Sequence, residues 1–200
     1  MKRSNIILLS VVGLFAMVFF WGCGKYNSII DADEAVNQAF GNMQAQYQRR
    51  ADLLPNIIRI AEEAGKNEKG ILETVTNARA GITSVKKEFD GASTPEQLEQ
   101  INTKVSKINS AFTLAMEAYP QIKSNENYLR AMDDFSGTEN RIANSREKYN
   151  EAIQKYNISI RRFPGNIVAN FGGFTTKKEF KAEAGTEKAP DYDKAWDKVK

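Results

Sequence analysis

Met132-Asp133-Asp134-Phe135-Ser136-Gly137-Thr138-Glu139-Asn140-Arg141-Ile142, "MDDFSGTENRI", supports two incompatible folds. Read locally, Ser136-Gly137 stops one helix and Thr138 caps the next, because glycine suits a left-handed C-cap and threonine bonds free amides. Over a longer range the apolar residues keep one phase. Tyr128, Phe135, Ile142, Tyr149, Tyr156 and Phe163 recur every seven residues, with Met132, Ile153 and Ile160 four positions later in their heptads. A break at Ser136-Gly137 would reset that phase. The spacing therefore predicts one helix from about Asn125 to Phe163, in which Gly137 costs about 1 kcal/mol relative to alanine. Close approach of a neighbouring helix is the expected reason for a glycine there.

Three further series complete the pattern. Val36, Phe40, Met43, Tyr47, Arg50, Leu54, Ile57 and Ala61 form the first, with Arg50 its one polar member. Pro55 removes a hydrogen bond without resetting the phase, so a kink is expected and not a break. Ile71, Val75, Ala78, Ile82, Val85 and Phe89 form the second, between Gly65-Asn67 and Asp90-Gly91. Thr94-Pro95-Glu96-Gln97 opens the third with an N-cap, a proline in the first turn and a capping-box glutamine. Leu98, Ile101, Val105, Ile108, Phe112, Ala115 and Tyr119 follow in phase. The expected fold is all-α: an N-terminal anchor helix, then an antiparallel up-down-up-down four-helix bundle with two long and two short helices. Expected domain limits are 1–24 for the anchor, 25–165 for the bundle, and 166–200 for a membrane-proximal segment and charged tail.

The same phase puts Glu139 and Arg146 on the apolar stripe. Arg50 lies fifteen residues below Gly65 and Glu139 fourteen below Asn125, so both sit about 21 to 23 Å down the bundle. A polar layer of Arg50, Glu139 and Arg146 that fixes helix register is the expected structural site.

Composition removes most chemistry. Histidine is absent and Cys23 is the single cysteine, which excludes imidazole bases, Cys/His metal sites and an intrachain disulfide. Neither a catalytic residue nor a metal or cofactor site is expected; a carboxylate-metal hydrolase has no acid/base constellation behind it. Asp133-Asp134 and the Asp31, Asp33, Glu34 group read as solvated helix faces. The net charge of +3 is scattered, so nucleic acid is not an expected partner.

"MKRSNIILLSVVGLFAMVFFWGCGKYN" carries Lys2 and Arg3 and then no charge from Ile6 to Trp21. Those sixteen residues span about 24 Å as a helix, slightly short of a hydrocarbon core of roughly 30 Å, and flanking residues can fill the interface. A single-pass anchor in the cell membrane follows, with the N-terminus cytoplasmic and the bundle extracytoplasmic. The alternative is a lipoprotein signal with Cys23 as the lipidated residue. Beyond Phe163-Pro164-Gly165, "NIVANFGGFTTKKEF" is a candidate interfacial segment, with Phe171 and Phe174 dipping into headgroups and Lys177 and Lys178 facing anionic lipid. Packing of these aromatics on the long helices is the competing reading. The charged remainder reads as a mobile tail. Tyr149-Asn150 and Tyr156-Asn157 read as core tyrosines with adjacent amides.

Several stretches resemble the LemA family of bacterial membrane-anchored helical proteins. They are Tyr26 to Ile30, "QYQRRADLLPNI" from Gln46 to Ile57, and Ala118 to Phe174 with "SGTENRIA", two Tyr-Asn pairs and Phe-Pro. The resemblance implies an N-terminal anchor, an antiparallel helical bundle and no enzymatic activity. Gly65 to Lys69 departs from the family pattern, Phe40 stands where tryptophan is common, and Cys23 is unusual after the apolar span. The expected function is a non-enzymatic envelope protein presenting its bundle to unidentified envelope proteins or to the membrane surface. A sensory bundle binding a small ligand between helices is the alternative.

Overall fold

A computed structural model describes residues 3–66 and 68–180, with side chains from Ser10 onward apart from Asn67 and Lys69. The charged tail expected beyond Phe180 lies outside the described residues. The fold is all-α among them, as the periodicities require. α1 runs from Arg3 to Ala64, α2 from Lys69 to Phe89, α3 from Pro95 to Met116, α4 from Pro120 to Lys123, α5 from Glu126 to Arg161 and α6 from Gly165 to Gly172.

"MDDFSGTENRI" lies inside α5, whose 36 residues run without interruption from the Asn125 cap. Asn125 Oδ1 accepts from the amides of Asn127 at 3.0 Å and Tyr128 at 3.3 Å, supplying partners to free donors of the first turn. Thr94 and Gln97 reciprocally cap α3. Between α3 and α5 the single turn of α4 was not anticipated; it buries Ile122 under the top of the bundle. Gly65 stands there because of space, since a Cβ would lie 2.0 Å from Ile71 Cδ1 and 2.9 Å from Ile122 Cδ1.

α1 is the element whose backbone approaches every other helix. Cross-helix pairs set the directions. Arg50 meets Glu139 and Phe40 meets Tyr149, so α1 and α5 are antiparallel; Lys86 with Asp52 and Arg79 with Glu62 make α1/α2 antiparallel, and Lys104 with Glu88 and Ile108 beside Gly81 do the same for α2/α3. The core contains Met43, Tyr47, Leu54, Ile57 and Ala61 of α1, Ile71, Val75 and Val85 of α2, Leu98, Val105 and Phe112 of α3, and Phe135, Ile142 and Ile153 of α5.

The buried seam of α5 differs from the expected stripe. In its upper half Ala131, Thr138 and Ser145 are buried three residues after each aromatic or aliphatic anchor, and Glu139 is exposed. Lower down, the seam returns to the expected spacing with Ile153 and Ile160. An α-helix has 3.6 residues per turn, so a seven-residue repeat drifts and both flanking positions compete for the core. Size and hydrogen bonding decide. Thr138 donates to the Phe135 carbonyl, and Ser145 to the Ile142 carbonyl at 2.8 Å, so these small side chains enter the seam with their hydroxyls satisfied.

Gly137 faces open space: a Cβ added there would have no neighbour within 4 Å. The expected close helix approach is therefore absent at this glycine. Gly137→Ala is expected to stabilise the protein by about 0.5–1 kcal/mol, because helix propensity improves and no contact opposes it. Urea unfolding of the detergent-solubilised protein measures it; unchanged or lower stability would contradict the placement.

Candidate functional site: a polar knot, a clamped strap and an apolar foot

The backbones of α3 and α5 make no close approach among the described residues, and long side chains span the gap. Arg50, on α1, is 5 % exposed, stacks its guanidinium 4.8 Å from the Phe135 ring centroid and donates to Glu139 Oε1 at 2.8 Å. Glu139 itself is 66 % exposed, so it is a surface carboxylate met by a buried arginine and not a core residue. Arg50, Ser106, Asn109 and Ser110 face Ser136 and Glu139 across a small polar cleft.

Arg146 does not join that pair. Its Nε donates to the Tyr47 hydroxyl at 2.6 Å and its Nη2 to Glu99 Oε2, while Tyr47 donates to the same Glu99 oxygen at 2.8 Å. One side chain each from α1, α3 and α5 thus closes a ring of hydrogen bonds. Sequence reasoning missed Glu99. Helix-level counting applied to α3 finds it, because Thr94 caps α3 near Gln44, whose amide lies 3.5 Å from the Ala92 carbonyl, and Glu99 is little more than a turn higher. Burial raises the Tyr47 hydroxyl far above the ordinary phenol value, with Arg146 opposing the shift and Glu99 adding to it.

After α6, which Gly173 caps with φ of 73°, residues 174–180 form a strap without regular secondary structure. The Asn157 amide nitrogen donates to the Lys177 carbonyl and its oxygen accepts from the Lys177 amide, both at 2.9 Å. Asn150 repeats the arrangement on Phe180 at 2.9 and 2.8 Å. Seven residues of helix separate the clamps by about 10.5 Å, a distance three residues reach only when nearly extended. Tyr156 also donates to the Thr175 carbonyl at 3.0 Å. Tyr149 and Tyr156 are buried in the core as expected, and the amides beside them, Asn150 and Asn157, form a backbone clamp that the sequence reading did not foresee.

The candidate interfacial residues divide. Phe180 is buried with its ring 4.9 Å from the Arg146 guanidinium, and Lys177 pairs with Asp33 and lies 5.2 Å from the Tyr156 ring. Phe174 packs on Tyr26 with ring centroids 5.5 Å apart. Phe171 is 91 % exposed and Lys178 is exposed. Phe163, just before α6, and Ile167 and Phe171, four apart within it, are exposed; Ile167, Val168 and Phe171 line an apolar cleft with Val18, Phe19, Cys23 and Tyr26 of α1. Phe163, expected as the last apolar position of the α5 heptad series, is exposed instead, because α5 ends at Arg161 and the heptad face stops with it; Ile167 lies in the segment expected at the interface. In α1, Val11, Val12, Leu14, Phe15, Met17, Val18, Phe19 and Phe20 are all exposed, which leaves the helix apolar on every side. From Ser10, its first residue with a described side chain, α1 extends about 28 Å before a buried residue, Ile29. Among the described residues no helix is long and apolar enough to cross a membrane; Ile6–Leu9 of the apolar run lie before the first described side chain. Cys23 is an exposed free thiol. No group of three or more Cys, Asp or Glu converges as metal ligands among the described residues.

These features define a helical protein built around interhelical polar bridges, with an apolar end. The chain belongs to the LemA family, matched over residues 39–193. It is similar to magnetosome protein MamQ 2 of Paramagnetospirillum magneticum, at 26% identity over 194 residues, covering 88% of this chain and 70% of that protein. Protein LemA of Metamycoplasma hominis is 24% identical over 164 residues, covering 82% and 71% respectively. The chloroplastic ATP synthase subunit b of Aethionema cordifolium is 28% identical over 183 residues, covering 88% and 83%.

Two outcomes separate the polar contacts. Glu139→Gln is expected to cost under about 1 kcal/mol, since its partner reaches it at the surface. Arg146→Ala is expected to cost about 1–3 kcal/mol, since Tyr47 and Glu99 lose a shared donor. Denaturant midpoints read both, and equal losses would contradict the assignment.

Tyr47, Tyr128, Tyr149 and Tyr156 all ionise above the ordinary phenol value of 10.0 because burial penalises the phenolate. The unfolded chain therefore loses these protons first, and stability is expected to fall as pH rises above about 10. Tyr47→Phe should flatten that decline most, in unfolding measured between pH 9 and about 11.5.

Proposed function

We propose that this LemA-family chain is a non-enzymatic envelope protein, tethered by the N-terminal part of α1, that presents its helical bundle to other proteins outside the cytoplasm. The observation that carries the reading is the apolar end itself. The exposed run from Val11 to Phe20 and the exposed Ile167 and Phe171 of α6 adjoin one another, and apolar surface of that extent calls for lipid or protein cover. α6 then acts as a foot at the interface, with Phe171 in the headgroup region, while Phe174 and Lys177 brace the strap and Lys178 remains free to face anionic lipid.

A single retained span is the favoured anchor. α1 passes through Gly22-Cys23-Gly24 as unbroken helix, and processing before Cys23 would sever the apolar run from the bundle. Lys2 and Arg3 favour a cytoplasmic N-terminus. Lipid attachment at Cys23 is the alternative anchor, and the mass of the intact protein decides between them. The span predicts the full-length mass; loss of the first 22 residues with added lipid mass would establish the lipoprotein.

Depth in the bilayer tests the foot and the span together. With Trp196 replaced by Phe, Trp21 is the remaining tryptophan. In vesicles containing brominated lipid its emission is expected to be blue-shifted and quenched, most strongly by bromines placed near the headgroups. Red-shifted, unquenched emission from the reconstituted full chain would overturn the membrane reading.

A further inference from the structure

The strap at residues 174–180 is attached to the bundle in an unusual way. Beyond the Phe174 amide, which donates to the Ala169 carbonyl at 3.0 Å, no backbone–backbone hydrogen bond joins it to a helix among the described residues. Its polar attachment consists of helix side chains gripping strap backbone: the Asn150 and Asn157 amides and the Tyr156 hydroxyl. Two strap side chains add sequence preference. Lys177 sits between the Asp33 carboxylate and the Tyr156 ring, and Phe180 lies under the Arg146 guanidinium that also closes the α1–α3–α5 knot. The seat therefore recognises an extended segment with a cation followed three residues later by an aromatic.

Every group of that seat belongs to α1 or α5, and none depends on the Gly172-Gly173 connection that delivers the strap. Releasing residues 175–180 breaks these contacts and no helical hydrogen bond. The strap also leaves an open cleft of about 740 Å³ between itself and Glu96, Glu99 and Gln100 of α3, so its outer side is not locked down. An occupant from another molecule would meet the same two clamps, the same acid and the same guanidinium. Exchange of an identical element preserves all its contacts and changes mainly linker strain and association entropy.

We propose that the seat formed by Asn150, Asn157, Tyr156, Asp33 and Arg146 is a peptide-binding site that accepts residues 177–180 of a second copy of this chain, so that straps exchange between molecules. The bound state in this structure is its self-occupied form. Copies held side by side face each other's straps at raised effective concentration, which favours exchange without any new contact.

Complementation of full-length variants in detergent tests it. One variant, Asn150→Ala/Asn157→Ala, keeps the strap and loses the clamps; the other, Lys177→Ala/Phe180→Ala, keeps the clamps and loses the strap. Each is first shown to be helical and to unfold cooperatively. Mixed together they are expected to form a one-to-one complex at least tenfold tighter than either forms with itself, read by sedimentation or native mass spectrometry. Adding Phe180→Ala to the first variant should abolish that complex. A mixture no more associated than its components would overturn the proposal, as would association that survives the added substitution. If a double variant fails to fold, a labelled peptide of residues 174–180 on the unmodified chain reads the same exchange. Saturable uptake that competes with unlabelled peptide supports the proposal, and absence of uptake overturns it.

Discussion

The contact between α1 and α5 is the constraint on which the remaining structure depends. α1 is the helix that reaches every other element, and α5 is its closest long neighbour. Their approach is permitted by Ala131, Thr138 and Ser145, small enough to let backbones come together and, for the hydroxyls, satisfied within their own helix. A leucine at any of these positions would push α5 away and misalign what the pair carries. Arg50, Tyr47 and Asp33 of α1 find Glu139, Arg146 and the strap only at this spacing and register.

That tight seam has a consequence on the opposite side. With α5 drawn toward α1, the α3 and α5 backbones stay apart, and the Arg146–Glu99 pair bridges the space between them. Arg146 is the residue where these demands meet: it donates to Tyr47 and Glu99 and stacks over Phe180. A planar guanidinium can serve hydrogen-bond acceptors in its plane and a ring on its face at once, which a lysine cannot do. The knot therefore ties the register of three helices to the occupancy of the strap seat, and a change at one is felt at the other.

The apolar foot lies at the far end of the same long pair. α6 reverses the chain beside α1 and exposes Ile167 and Phe171 next to the apolar run, while Gly173, in the left-handed region, turns the chain back along α5 as the strap. Strap and foot are thus consecutive in sequence and serve opposite ends of the polarity scale. The strap is held by polar groups on the bundle, whereas the foot is left uncovered by it.

How much of this was legible depends on whether local period or three-dimensional competition decides. Heptad continuity from Tyr128 to Phe163 determined that "MDDFSGTENRI" is helix interior. Proline, glycine and capping signals determined the ends of α2 and α3, and level counting brought Arg50 opposite Glu139. Which face of α5 is buried was not determined locally, because 3.6 residues per turn leaves positions three and four after each anchor nearly equivalent; neighbour size chose Thr138 over Glu139. Glu99 and the strap clamps depend on contacts between segments tens of residues apart, where a polar residue beside an apolar stripe carries no sign of its partner. Composition and the apolar N-terminal run, read alone, determined an all-helical chain without histidine chemistry and with an end suited to lipid. Only the tertiary structure decided that Arg146 belongs to the Tyr47–Glu99 knot, that Asn150 and Asn157 hold backbone, and that Gly137 faces open space. Each of those outcomes follows from the spacing between helices, a property of packing that periodicity along one helix does not contain.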